Sequence, residues 1–269
     1  MTLRTERHNI DDEVERLVLL SDIHGFIQPL HAVDEFLGSA RKPYQVIFNG
    51  DLVRGGPWPR EVIQWISDHA GPLATVGNHD ETLMLGGEEN ASLCTEPGAY
   101  HALNEELRKY VGSLPECLDL HWRGHRIVCM HGHHANDGND VAWITTPLEQ
   151  ANALINRAAD LTVASHSHYP YVQPLDGTLV ANTGSLSRVL LHVRTADGWH
   201  SQSGEADSQS TQDVRGSLLT VDVVNSKLDV QIVRFDFDKE GALADLKRAG
   251  ETNLDFHRRW LYEGKVEVE

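Results

Sequence analysis

Cysteine is scarce in this chain of 269 residues, with only Cys94, Cys117 and Cys129 present. An odd count without paired spacing gives no disulfide framework, so stability must come from a buried core, which this length allows. A reducing cytoplasm is the simplest compartment for such a chain. Long apolar runs are missing, and none approaches the roughly 18 residues that span a bilayer. The N-terminus, MTLRTERHNIDDEVER, has no apolar signal core. Basic residues are outnumbered, 23 against 40 acidic ones, for a formal net charge of −17. That balance argues against long nucleic acids and anionic membranes as partners. Small phosphorylated substrates stay open if a metal centre supplies local positive charge. Oligomeric state is not legible. No internal repeat and no interdomain linker is visible.

What the chain does have is histidine, 16 residues with several in tight clusters. Residues 1–15 read as a flexible leader and 16–269 as one domain. Short apolar runs at 16–20, 44–48, 73–76 and 161–164 read as buried strands, and 117–121 with 126–130 as a strand pair. Helical spacing at 27–38, an opening Pro59 and a further Pro147 place helices between them, with others at 101–112 and 239–248. Residues 171–173 and 178–181 form a hairpin, 189–193 a strand, and 218–223 with 228–235 a second hairpin. The polar segment 195–216 reads as a mobile loop, and 250–269 is poorly determined. Strands alternating with helices indicate an α/β fold with a largely parallel sheet.

Five polar segments follow predicted strands: Ser21-Asp22-Ile23-His24-Gly25, Asn49-Gly50-Asp51, Gly77-Asn78-His79-Asp80, Met130-His131-Gly132 and Ser165-His166-Ser167-His168. In α/β sheets, ligands bind in the crevice beyond the carboxyl ends of strands. Each segment alone reads as an ordinary turn or helix cap. Together they offer carboxylate, imidazole and amide ligands, a mixture suited to Mn, Fe, Zn, Co or Ni. Seven ligands exceed the needs of one ion. Two ions sharing a bridging carboxylate would use them all.

The order Asp-x-His, Gly-Asp, Gly-Asn-His-Asp, His and x-His-x-His resembles the calcineurin-like metallophosphoesterase superfamily over residues 16 to 248. Finer features resemble its small bacterial and archaeal phosphodiesterase branch: GDLVRGGPWPREVI at 50–63, SLPECL at 113–118 and DGTLVANTGSLSR at 176–188. The resemblance implies a four-layer α-β-β-α sandwich of two mixed sheets flanked by helices. It implies one metal held by Asp22, His24 and His168, another by Asn78, His131 and His166, and Asp51 bridging them. Manganese is the first choice, before iron, zinc, nickel or cobalt. His79 would sit beside the substrate phosphate, with Asp80 orienting it. Two departures stand out. Ser165 occupies a position often held by Gly, and Arg54 falls where many relatives carry Asp. Arg54 could bind a phosphate oxygen or be an ordinary loop arginine. His133 and His134 extend the fourth motif towards the pocket rim or solvent.

The implied activity is hydrolysis of small phosphorylated metabolites or nucleotides by a hydroxide generated at a dinuclear metal centre, as a phosphodiesterase or phosphatase. A dinucleoside polyphosphate hydrolase is the alternative within the same chemistry. A non-catalytic interaction scaffold is the alternative outside it.

Overall fold

The computed structural model describes residues 3–88, 90–132, 156, 158–175, 177–195, 198–201 and 213–267. The strands up to the middle of the chain are Thr5–Asn9 (β1), Arg16–Leu20 (β2), Tyr44–Asn49 (β3), Ala74–Thr75 (β4), Cys117–Trp122 (β5), His125–Met130 (β6) and Leu161–Ala164 (β7). They are followed by Tyr171–Leu175 (β8), Thr178–Asn182 (β9), His192–Thr195 (β10), Gly198–Ser201 (β11), Gly216–Val224 (β12), Lys227–Phe235 (β13) and Lys265–Glu267 (β14). The helices are Gln28–Gly38 (α1), Pro59–His69 (α2), Asn78–Leu83 (α3), Glu96–Ala102 (α4), Glu105–Ser113 (α5), Lys239–Arg248 (α6) and Leu254–Glu263 (α7).

One sheet runs β1-β5-β6-β7-β9-β8 and another β13-β12-β2-β3-β4, both with parallel and antiparallel pairs. A small sheet joins β11, β10 and β14. Strand alternation sorts the side chains into layers. In β2, Leu17 and Leu19 face Leu118, Leu120, Trp122, Ile127, Leu161 and Val163 of the other large sheet. Val18 and Leu20 face the opposite way, onto Leu30 and Val33 of α1, Ile63 and Ile66 of α2 and Val111 of α5. Both faces of β2 are therefore buried, which explains why it reads as one continuous apolar run. The fold is mixed α/β, two mixed sheets face to face and flanked by helices. Among the described residues no helix is long and apolar enough to cross a membrane. All three cysteines are buried and free.

Several expectations need correction. The leader is not wholly flexible: β1 pairs in parallel with β5, and Arg7 ties to Asp119 at 2.8 Å. The helix expected over 101–112 is two helices. Asn104 leaves helical geometry, and its side chain accepts from Leu107 N at 2.9 Å, capping α5. The strand expected at 189–193 begins at His192. Residues 198–201, expected in a loop, pair with β10. Residues 250–269 contain α7 and β14. The helix expected from Pro147 lies outside the described residues except at 156 and 158, as do His133 and His134.

Candidate metal centre

Each expected segment leaves the carboxyl end of a strand: β2 before Asp22, β3 before Asp51, β4 before Asn78, β6 before His131 and β7 before His166 and His168. Backbone hydrogen bonds lace these loops together. Asp22 N donates to Gly50 O at 3.0 Å and His24 N to Asp51 O at 3.1 Å. Asn49 spans three strands: its Nδ2 donates to Met130 O at 2.9 Å, and its Oδ1 accepts from Thr75 at 2.9 Å. Segments far apart in sequence therefore meet at one point.

Two clusters result, Asp22, His24, Asp51 and His168 in one and Asp51, His131 and His166 in the other. Asp51 belongs to both. Its Oδ1 accepts the His79 backbone N–H at 3.1 Å, while its Oδ2 lies 3.8 Å from His24 Nε2 and 3.3 Å from His131 Nε2. Three rings are aimed from behind by backbone carbonyls. His24 Nδ1 donates to Val53 O at 3.1 Å, His168 Nδ1 to Arg188 O at 2.6 Å, and His131 Nδ1 to Asn49 O at 2.8 Å. Those bonds leave the Nε2 lone pairs pointing inward. His24 Nε2 and His168 Nε2 are 3.0 Å apart, and His131 Nε2 is 3.1 Å from His166 Nδ1.

His24 and His168 both donate from Nδ1 to carbonyls, so their Nε2 lone pairs face each other and repel unless a cation or proton lies between them. Burial, followed by the Arg188 charge, pushes His24 well below its ordinary value, whereas at His131 burial is outweighed by the Asp51 carboxylate, which raises the ring to about 10. Asp22 Oδ1 and Asn78 Oδ1 are both buried without a hydrogen-bond partner. Unpartnered oxygen acceptors together with clustered Asp and His side chains make a donor set that suits a divalent metal. The Asp/His clusters fit such a site.

The backbone is strained where the ligands sit. Asp22 (φ 52°), His24 (54°), Asp51 (58°), His166 (68°) and His168 (58°) all occupy left-handed geometry. Such residues cost about 1–3 kcal/mol each and persist where surrounding structure over-determines them. Close approach adds a second constraint. A Cβ at Gly50 would stand 2.5 Å from His131 Nδ1, and one at Gly77 would collide with Asp51.

Asp80 has a different job from the one expected. Its carboxylate accepts the backbone N–H groups of Asp51, Leu52 and Gly77, each at 2.9 Å, so it pins the second motif to the third. Burial and the Asp51 charge push its carboxyl up to about 7. The contact to His79 comes instead from Glu96, at the start of α4, whose Oε1 lies 3.0 Å from His79 Nδ1. The same oxygen accepts Arg54 Nη1 at 2.7 Å. Burial raises the Glu96 carboxyl, but the hydrogen bonds from His79 and Arg54 outweigh it and hold the group down at about 2. The His79 ring stands edge-on to His24 with centroids 5.5 Å apart.

Sequence reasoning took Glu96 only as one acid of an acidic loop and gave Arg188 no role. The Arg188 guanidinium is buried, donates to Arg54 O at 3.0 Å, and lies over Trp260 at 4.2 Å from the ring centroid. Burial, then the Arg54 charge, lowers it to about 9. The substitution of Ser at 165 is absorbed by hydrogen bonding. Its hydroxyl donates to Asn49 O at 2.7 Å and lies 2.9 Å from His131 Nδ1.

The family model of calcineurin-like phosphoesterases matches residues 15–194. An uncharacterized protein of Methanocaldococcus jannaschii is 28% identical over 177 residues, covering 63% of this chain and 69% of its own. Among solved structures, a metallophosphoesterase from Sphaerobacter thermophilus superposes with a TM-score of 0.66 at 18% identity, covering 93% of this chain and 99% of its own. A hypothetical protein from Pyrococcus horikoshii gives 0.65 at 17% identity, covering 94% and 99%. At those identities the structural likeness speaks for the fold.

Proposed function

Because the chain belongs to the calcineurin-like phosphoesterase family, we propose that it hydrolyses esters of small phosphorylated metabolites or nucleotides at a dinuclear metal centre. The observation that carries this reading is the sharing of Asp51 between two buried clusters of inward-facing donors. Asp22, His24 and His168 would hold one cation and Asn78, His131 and His166 the other, with Asp51 between them. Manganese is the first candidate, and the mixed oxygen and nitrogen set also suits iron, zinc, nickel or cobalt. Such cations supply Lewis acidity to phosphoryl oxygens and lower the pKa of a water towards about 7.

The chain's own residues then bind and orient. Arg54 has a side chain 55% exposed, so part of its fork remains free to meet a phosphate oxygen while Nη1 stays on Glu96. Buried Arg188 adds positive charge that no carboxylate pairs with among the described residues. These charges favour a small anion on a chain whose overall charge repels polyanions. His79, with a side chain 23% exposed, stands where it can stabilise the transferring group or give a proton to the leaving oxygen. The reaction adds one water across a P–O bond.

The test is metal analysis of the purified protein joined to an ester screen with Mn²⁺, Ni²⁺ and Zn²⁺. The panel holds bis(p-nitrophenyl) phosphate, p-nitrophenyl phosphate and a dinucleoside tetraphosphate. Activity should vanish with a chelator and return with metal. Loaded protein that cleaves nothing in the panel would overturn the reading. In His79→Ala, kcat should fall by about 10²–10⁴-fold, as for loss of a general acid, with metal content retained. Metal loss in step with activity would instead put His79 among the ligands.

A further inference from the structure

Arg54 stands where many relatives carry an aspartate, and the second motif's own carboxylate, Asp51, accepts the His79 backbone N–H at 3.1 Å. The structure brings a carboxylate to the ring from elsewhere. Glu96 lies 17 residues beyond His79, on a separate helix, and its Oε1 is 3.0 Å from His79 Nδ1. The residue is buried, at 5% exposure, although glutamate is among the residues least often found inside. Arg54 Nη1 completes the set at 2.7 Å on the same oxygen.

We infer that Glu96 is the positioning residue of His79, a carboxylate on α4 that fixes the ring's tautomer and aims its Nε2 at the leaving oxygen. Resting on the phosphoesterase reading, the step runs as follows. A water oxygen bonds to phosphorus, and the P–O ester bond breaks with its electron pair going to the leaving oxygen. That oxygen takes the Nε2 proton of the His79 imidazolium. The ring is left neutral with its proton on Nδ1, still hydrogen-bonded to Glu96. It regains an Nε2 proton from the one released by the attacking water, so one water is consumed and His79 is restored. Glu96 keeps the Nδ1 side of the ring hydrogen-bonded throughout, so that Nε2 stays directed at the leaving oxygen. Arg54 keeps Glu96 ionised and in place.

The experiment compares full-length, metal-loaded wild type with Glu96→Gln and Glu96→Asp on two phosphodiesters, one with an alkyl leaving group and one with p-nitrophenolate. The alkyl ester needs a proton on its leaving oxygen, and p-nitrophenolate does not. Glu96→Gln keeps the shape and removes the charge. Its kcat on the alkyl ester should fall on the order of 10²-fold with KM within about twofold, the pattern of an interaction made in the transition state. The loss on the p-nitrophenyl ester should be much smaller, and Glu96→Asp should recover part of the activity. Equal losses on both esters, or no loss, overturn the inference.

A second readout is independent of turnover. Nitrogen NMR of full-length protein should show His79 protonated at Nδ1 in wild type and mixed between its tautomers in Glu96→Ala. An unchanged tautomer overturns the positioning role. If the wild type cleaves neither ester and nothing in the wider panel, the phosphoesterase reading fails, and the tautomer result still decides whether Glu96 holds His79.

Discussion

Asp51→Asn should lower kcat by about 10³-fold or more and strip metal from both clusters. The reason is the position of one oxygen. Asp51 Oδ1 is occupied by the His79 backbone N–H, while Oδ2 lies between His24 and His131. In the asparagine variant the Oδ1 bond can survive, so the loop is held. The other position becomes an NH₂ group that offers donors to two imidazole nitrogens and nothing to a cation. A metal ion contributes several kcal/mol of charge stabilisation, and each 1.36 kcal/mol is tenfold in rate. Losing both cations therefore reaches about 10³-fold. Metal analysis beside steady-state kinetics checks this, with Asp22→Asn as the comparison. Asp22 lies in one cluster only, so its variant should keep metal at the His131 side. Asp51→Asn with full metal and normal turnover would remove the bridging role.

Asp80→Ala should have the largest effect on stability, about 3–5 kcal/mol. Three buried N–H groups, on Asp51, Leu52 and Gly77, donate to this one carboxylate. Each donor left without a partner costs about 1–3 kcal/mol. The burial that pushes Asp80 up to about 7 offsets part of that, because an apolar side chain there no longer carries a desolvated charge. Thermal unfolding should shift down by about 10 °C, at roughly 2–4 °C per kcal/mol for a chain of this size. Asp80→Asn keeps one acceptor oxygen and should lie between. Activity should fall too, since Asp51 sits on the strained turn that these bonds hold. An alanine variant melting within about 2 °C of wild type would contradict the assignment.

Much of the site could be read before any fold was known. Asp22, His24, Asp51, Asn78, His131, His166 and His168 stand in short segments that each follow an apolar run. Strands buried on both faces write themselves as such runs, and the change to Asp, His or Gly marks where each one ends. The central strands and α1, α2 and α6 were legible for the same reason. Edge structure was not. β1 has polar, mostly exposed side chains and is held by its backbone ladder with β5 and by Arg7 on Asp119, neither of which leaves a periodic signal. The small sheet of β10, β11 and β14 joins segments far apart in the chain.

The residue roles divide along the same line. Asp80 follows His79 directly, and the family resemblance implied that it orients that ring. The first turn of α3 instead directs its carboxylate back onto Gly77 N and across to Asp51 and Leu52. Glu96 appears in the sequence only as one acid in an acidic stretch near a helix start. Its partners are 17 and 42 residues away, and only the placement of α4 against α3 brings them together. Arg188 holds His168 through its carbonyl and Arg54 through its guanidinium, contacts spanning 20 and 134 residues.

The sequence by itself determined which side chains can bind metal and which strand ends present them, because hydrophobic periodicity and turn chemistry act between near neighbours. The resemblance already implied a bridging Asp51; only the tertiary structure decided that Asp80 braces the loops and that Glu96 meets His79. Those facts depend on how separate elements pack, and a side chain a few ångströms away in space can lie anywhere along the chain.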